Sequence, residues 1–353
     1  MTFQISDLEK FGWKAFFTSQ LDSDDFEQSV PVRVMAVHRG TLHIAGPGLE
    51  TTIPPYQADP DDDTTKATVG DWLLLDRKTH RPKRQLERMS LFKRRAAGAG
   101  RQIQLIAANV DTLFIVSSCN QDFSIARLER YLALAYEAQV TPVIVLTKAD
   151  LSDDPSVFAN QAYALNPVPL VETLNALDDK EVRRLLPWCV HGQTVALVGS
   201  SGVGKSTLIN TLTDRAQIAT QDIREDDAKG RHTTTGRALH PMPSGGWLID
   251  TPGMRELQLT DVQSGLDEIF SDIVDLSQSC RYSNCQHIKE PGCAVSAAIE
   301  SGELDSRRLK RWRKLVAEET YNSETLAERR SRNRAFGKMV KRVIKDKQHF
   351  DRN

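Results

Sequence analysis

Gly199-Ser200-Ser201-Gly202-Val203-Gly204-Lys205-Ser206-Thr207 is the stretch on which the reading of this chain turns. It fits GxxxxGK[ST], a loop whose backbone N–H groups wrap nucleotide phosphates, with a lysine reaching the β and γ oxygens and a hydroxyl, here that of Ser206, on Mg²⁺. Thr194 to Val198 in front reads as a short buried strand, and Leu208 to Leu212 behind reads as the start of a helix. A helix N-terminus adds its own donors and positive dipole end to the anion site, so the two flanks separate this loop from a plain Gly/Ser-rich turn.

Around that loop the chain is 353 residues long, enough for two or three domains that each bury a core. With 40% hydrophobic and 26% charged residues it reads as an ordinary globular protein, and its formal net charge of -1 gives no global sign of a polyanionic partner. No run approaches the roughly eighteen apolar residues of a membrane span. Met1 to Lys10 carries Asp7, Glu9 and Lys10 without an apolar core, so no secretory signal is expected and the cytoplasm is the expected location. The five cysteines are unevenly placed, which suits metal ligation in a reducing compartment better than a disulfide framework.

Residues 1–29 form an N-terminal extension, read as a short docking helix bearing Phe11, Trp13, Phe16 and Phe17. Residues 30–95 carry short alternating runs (Val32 to Val37, Thr41 to Ala45, Trp72 to Asp76) separated by turn residues, which predicts a small OB-like β-barrel, a scaffold suited to RNA. A basic band of His80, Arg81, Lys83, Arg84, Arg88, Lys93, Arg94, Arg95 and Arg101 leads out of it, either a solvated face or a nucleic-acid contact. Ala96 to Gly100 reads as a linker.

From 102 to 262 strand and helix alternate: Thr112 to Val116, a helix from Ile125 to Ala138 with Ile125, Leu128, Leu132 and Ala135 on one face, then Val143 to Leu146. This predicts a parallel α/β sheet covered on both faces. The third strand ends in Thr147-Lys148-Ala149-Asp150, which resembles the [NT]KxD signature of GTP-binding proteins. There the lysine stem lies over the base and the aspartate accepts from guanine N–H groups; adenine would leave that carboxylate unpaired. Beyond the phosphate loop come Gly230-Arg231-His232-Thr233-Thr234-Thr235 and Asp250-Thr251-Pro252-Gly253. The second is a DxxG after an apolar run, fit to hold Mg²⁺ through water with Asp250 and to sense the γ-phosphate with the Gly253 N–H. The threonines offer a metal ligand, with Thr234 preferred among the three.

Ordinary GTPases run phosphate loop, switch I, DxxG and then NKxD, whereas here TKAD precedes the phosphate loop. With the N-terminal barrel, the GRHTTT string and a C-terminal Cys/His cluster, the chain resembles the ribosome small-subunit-dependent GTPase A family over residues 30 to 300. That resemblance implies a circularly permuted P-loop GTPase whose hydrolysis is stimulated by the small ribosomal subunit, whose partners are that subunit and its rRNA, and whose role is late subunit maturation. It implies GTP/GDP contacts from Thr147, Lys148, Ala149 and Asp150, from Gly199, Ser200, Ser201, Gly202, Val203, Gly204, Lys205, Ser206 and Thr207, and from Asp250 and Gly253, with Mg²⁺ on Ser206 and Thr234. Two positions depart from the pattern: Thr147 replaces asparagine, and Asn175 stands in Glu172-Thr173-Leu174-Asn175-Ala176 where a serine is usual. Met254 occupies the place where many GTPases carry a water-orienting glutamine, and it cannot hydrogen-bond usefully. His232 is the local candidate for that role, beside Lys205 as the charge-stabilising catalytic residue; an rRNA group or ribosomal element is the alternative.

Residues 263–353 form the last unit. Cys280, Cys285, His287 and Cys293 lie close enough in sequence to close around one tetrahedral, structural Zn²⁺, while Cys119 and Cys189 sit in or beside apolar runs and read as core. Ser306 to Glu319 reads as a basic helix with Arg307, Arg308, Lys310, Arg311, Arg313 and Lys314, and a basic tail follows from Arg329 to Lys347; both suit rRNA phosphates. The expected whole is an α/β protein, monomeric: a permuted P-loop GTPase flanked by an OB-like β-barrel and a small zinc-binding helical domain. The alternative is a GTP-switched rRNA-binding assembly factor in which hydrolysis is incidental.

Overall fold

Three short helices, α1 (Ile5–Glu9), α2 (Ala15–Thr18) and α3 (Ser23–Gln28), lead into β1 (Ser29–His38), β2 (Thr41–Gly46), β3 (Leu49–Ile53), β4 (Trp72–Asp76), β5 (Pro82–Gln85) and β6 (Leu91–Arg95). The computed structural model describes residues 4–95, 103–214, 237–250, 257 and 259–323. Along its first half β1 pairs antiparallel with β4, along its second half with β2, and a bulge between Val34 and Ala36 turns the strand. A bulge bends a strand and increases its twist, which is what curling a short meander round a core requires. Val32, Val34, Leu42, Ile44, Ile53, Leu73 and Leu75 fill the inside.

β4 reads Trp-Leu-Leu-Leu with every one of these side chains buried. Leu73 and Leu75 face the barrel core, and Trp72 and Leu74 face outward onto Leu8, Trp13 and Phe17 of the N-terminal segment. The expected single docking helix is three short ones, and they are what lets both faces of β4 be apolar. The Trp13 and Trp72 rings meet edge to face at 4.7 Å, and Phe17 lies 5.9 Å from Trp72. Such pairs contribute about 0.5–1.5 kcal/mol each beyond area burial.

β7 (Ile103–Ala108) pairs antiparallel with β6 as a separate ribbon, and then the alternating α/β region begins. It comprises β8 (Thr112–Ser118), α4 (Ile125–Glu137), β9 (Thr141–Thr147), α5 (Ser156–Tyr163), β10 (Leu170–Thr173), α6 (Asp179–Val182), β11 (Thr194–Val198), α7 (Lys205–Thr213), β12 (Arg237–Pro241) and β13 (Trp247–Asp250). The strand order is β10-β9-β8-β11-β13-β12-β1-β2-β3. The first five are parallel; β12 is antiparallel to β13 and to β1. With β4 and β5 this makes one sheet of eleven strands, so the barrel strands continue the nucleotide sheet instead of hanging from a linker.

Strands β8, β9 and β11 are apolar on both faces, as strands covered on both sides must be. Leu113, Ile115, Ile144, Leu146, Ala196 and Val198 face the α4 side, whereas Phe114, Val116, Val143, Val145, Val195 and Leu197 face the α7 side. Helix α4 buries more than the amphipathic stripe expected: Glu129, Tyr131, Ala133 and Leu134 are buried too. The reason is α8 (Gln263–Ile269), whose Gly265 lies so close that a Cβ there would stand 2.0 Å from the Ala133 carbonyl oxygen. Helices α9 (Ser271–Gln278), α10 (Ala294–Ser301) and α11 (Ser306–Ser323) complete the C-terminal unit, α11 running four residues past its expected end. Among the described residues no helix is long and apolar enough to cross a membrane.

Candidate functional site

The C-terminal ends of β8, β9, β10 and β11 share one edge of the parallel sheet, the edge where open α/β sheets bind ligands. At that edge the phosphate loop leaves β11 and enters α7. Gly199 has φ +143, and a Cβ there would fall 2.2 Å from the Val116 carbonyl oxygen of β8, so only glycine fits. Gly204, at φ 92, caps α7 and aims its first turn outward. Lys205 is buried, and its Nζ donates to the Gly199 carbonyl at 2.8 Å and to that of Ser200. Ser206 and Thr207 stand in the first turn of α7, the positive end of the helix and the end that suits an anion.

TKAD stands two strands away, at the end of β9. The Thr147 hydroxyl is fully buried and donates to carbonyls of the protein itself, Val203 in the phosphate loop at 2.6 Å and Ser117 at 3.1 Å. Thr147 therefore positions: it ties the base motif to the phosphate loop, while Lys148, Ala149 and the exposed Asp150 follow it. Lys148 is in the left-handed region at φ 58, which turns the chain outward into the short 3-10 segment Ala149–Leu151. The third piece of the site is the loop after β10. The Leu174 carbonyl accepts from the Ala149 N–H at 3.4 Å, and buried Ala176 lies beside Gly204. Asn175, at the position where a serine was expected, uses its side-chain oxygen to accept the Leu177 N–H at 2.9 Å.

Asp250 ends β13, placing the start of DxxG beside β11. His232, Thr233, Thr234, Thr235, Gly253 and Met254 lie outside the described residues, as do the linker at 96–100, Arg101 and the basic tail from Arg329.

Two expected cationic surfaces are partly consumed within the fold. In the band leaving the barrel, Arg88 grips buried Asp71 with two bonds of 2.7 and 2.8 Å, Arg84 pairs with Asp25, and Lys93 with Asp261 at 2.9 Å. On α11, Arg308 binds Asp272 at 2.6 Å and reaches Glu129 of α4 at 3.4 Å, and Arg311 binds Glu129 at 2.7 Å. Burial pushes the Glu129 carboxyl upward, opposed by Arg311 and Arg308. Arg307, with 84% of its side chain exposed, and Lys310 remain on the outer face.

In the C-terminal unit Cys280, Cys285, His287 and Cys293 bring their ligand atoms within 4.8 Å of one another. Cys280 Sγ and Cys293 Sγ lie 3.6 and 3.5 Å from His287 Nδ1, and 3.9 Å from each other. A tetrahedral zinc with Zn–S of about 2.3 Å and Zn–N of about 2.0 Å has ligand edges of roughly 3.5–3.8 Å, so the set fits that metal. The Ser296 N–H at the start of α10 donates to Cys293 Sγ at 3.3 Å, which favours a thiolate. Glu290 folds the intervening loop by accepting from the backbone N–H groups of Gln286, Ile288 and Lys289. Cys119 and Cys189 are core, with burial pushing their thiols up to about 11 and about 12.

A phosphate loop on β11, a TKxD earlier in sequence but two strands away in the sheet, and a DxxG strand on the other side define a circularly permuted P-loop GTPase. The family model described as RsgA GTPase matches residues 85–260. The small ribosomal subunit biogenesis GTPase RsgA 2 of Vibrio parahaemolyticus is 49% identical over 96% of this chain and 93% of its own length. The small ribosomal subunit biogenesis GTPase RsgA of Mesorhizobium japonicum is 51% identical over 90% of this chain and 91% of its own. This chain belongs to the RsgA GTPase family. Its fold is similar to YjeQ from Thermotoga maritima (TM-score 0.58, 22% identity, 82% of this chain and 98% of that one). YloQ, a circularly permuted GTPase, superposes with TM-score 0.56 at 23% identity over 84% of this chain and 97% of that one.

Sequence reading missed Arg33, Glu129 and Glu181. None belongs to a motif: Arg33 lies in an apolar strand run, Glu129 and Glu181 lie among other charges, and their partners are distant in sequence or held on a turn.

Proposed function

We propose that this protein binds Mg²⁺·GTP between the phosphate loop and TKAD, and that hydrolysis, stimulated by the small ribosomal subunit, accompanies late maturation of that subunit and the protein's release from it. The observation that supports this most is the convergence of Gly199 to Thr207, Thr147 to Asp150 and Leu174 to Ala176 on one sheet edge, in a chain whose relatives are named for small-subunit biogenesis.

In this reading the loop N–H groups from Ser200 to Ser206 and the α7 N-terminus hold the phosphates, and Lys205 turns its ammonium onto the β and γ oxygens. Asp150 accepts from guanine, and the Lys148 stem covers the base. Ser206, Thr234 and, through water, Asp250 are the groups for Mg²⁺, which neutralises charge developing on the β and γ oxygens. Gly253 senses the γ-phosphate and His232 orients the attacking water. Cys280, Cys285, His287 and Cys293 hold one Zn²⁺ with no open position, so it braces the fold and takes no part in chemistry. The barrel (30–95) and the C-terminal unit (263–353) flank the GTPase unit (102–262) and face rRNA; the protein works as a cytoplasmic monomer.

Phosphate release from GTP by the purified chain, with small subunits and with large subunits as control, tests this. Stimulation by small subunits alone is the expected result. GTP binding without stimulation would favour the reading in which the protein is a GTP-switched rRNA-binding factor and turnover is incidental. Lys205→Ala sharpens the choice: assembly support that survives the loss of GTP binding would overturn the enzyme reading.

A further inference from the structure

The turn after β10 is held by α6 and the 3-10 segment that continues it. Glu181 of α6 accepts the Asn175 N–H at 2.7 Å through Oε2. The Asn175 side chain accepts the Leu177 N–H at 2.9 Å, and its carbonyl accepts the Asp178 N–H at 3.1 Å. Three of the four consecutive N–H groups from Asn175 to Asp178 are therefore engaged within the protein. Among the described residues none accepts from the fourth, that of Ala176, a buried residue packed 3.7 Å from where a Cβ of Gly204 would lie. Arg184 completes the brace: its guanidinium donates to the Thr173 carbonyl at the end of β10 and lies 4.0 Å from Glu181 and 3.8 Å from Glu172.

We propose that Glu181 is a positioning residue for base recognition, fixing the 175–178 turn so that the Ala176 N–H meets the 6-oxo group of a 6-oxopurine nucleotide. This rests on the reading that GTP binds at this edge. The chemistry favours the 6-oxo group because an N–H donor can pair with a carbonyl oxygen there, while adenine presents an amino donor at the same position and leaves both donors unpaired. Glu181 acts through the Asn175 N–H, so the role asks for no contact between its carboxylate and the nucleotide. A charged acceptor is the stronger kind for a backbone N–H, and a turn that is already ordered loses less freedom when ligand arrives.

The experiment uses the full chain and a fluorescent GDP as probe, with GTP, ITP and ATP as competitors, followed by steady-state hydrolysis. Glu181→Ala is expected to weaken GDP, GTP and ITP by a common factor of about five to ten, the range of losing one oriented hydrogen bond. The factor is common because GTP and ITP share the 6-oxo group; the weak binding of ATP should not move. The change falls in KM and leaves kcat, because the phosphate loop is untouched. Glu181→Gln, whose amide oxygen still accepts the Asn175 N–H, should restore most of the affinity, which a general loss of folding would not allow. Unchanged GDP affinity in Glu181→Ala, an equal loss for ATP, or a Gln variant as weak as the Ala variant would each overturn the proposal. Failure of the unsubstituted protein to bind fluorescent GDP would instead remove the GTP reading beneath it.

Discussion

At the scale of single residues, two positions set whether the nucleotide edge forms. Gly199 lies under β8 with no room for a Cβ, so Gly199→Ala must push the phosphate loop off the sheet. Fluorescent-GDP binding in that variant should fall at least a hundredfold while the far-ultraviolet circular dichroism stays near the original; retained affinity would mean the loop has another seat. Thr147 is the second. Thr147→Val keeps the shape but removes the donor shared by Val203 and Ser117, two buried carbonyls. The expected cost is about 1–3 kcal/mol in chemical denaturation, with weaker nucleotide binding because the loop loses its tie to the base motif. Neither role could be read from the motif string alone. GxxxxGK[ST] gives the loop its identity, and the neighbour that forbids a side chain at Gly199 lies eighty-odd residues earlier in the sequence, on β8.

At the scale of elements, α11 carries a division of labour among residues of one type. Arg308 and Arg311 converge on Glu129, which is almost wholly buried, and Arg308 also holds Asp272 of α9. Removing Arg308 leaves Glu129 with Arg311 alone and takes from Asp272 its two-bond partner, at a cost of about 1–3 kcal/mol. Arg308→Ala should therefore lower the unfolding midpoint clearly. Arg307→Ala and Lys310→Ala should leave it within about 0.5 kcal/mol and instead weaken affinity for small subunits, most visibly at low salt. Equal effects from the inner and outer cations would undo this assignment. The Cys280, Cys285, His287 and Cys293 cluster belongs to the same scale. One zinc per chain is expected by elemental analysis, and a strong chelator should release it and alter the fluorescence of Trp312, whose ring centroid lies 5.7 Å from that of His287. Nucleotide affinity should persist through that loss, because the cluster shares no element with the phosphate loop.

For the whole molecule, the question is how the barrel, the sheet and the N-terminal segment are kept in register. Arg33 of β1 is fully enclosed and donates to the carbonyls of Phe11, Gly70 and Asn109 and to the Thr194 hydroxyl at the start of β11. Burial pulls its guanidinium down to about 10, against the pull of Asp111 and Asp71 in the other direction, so it stays charged at any physiological pH. Arg33→Met should strand several buried acceptors, destabilise by about 2–4 kcal/mol, and raise hydrogen exchange along both β1 and β12. Exchange confined to the barrel would show that the two parts of the sheet open independently. The sequence by itself determined the nucleotide chemistry, the permuted order of its motifs, the parallel sheet and the four-ligand cluster, because each is written in residues adjacent or regularly spaced along the chain. Only the tertiary structure decided that barrel and nucleotide strands form one sheet, that β4 is covered on both faces, and which arginines face inward. Those outcomes depend on pairs such as Arg33 with Thr194 and Glu129 with Arg311, brought together by burial and strand pairing across distances that no local periodicity records.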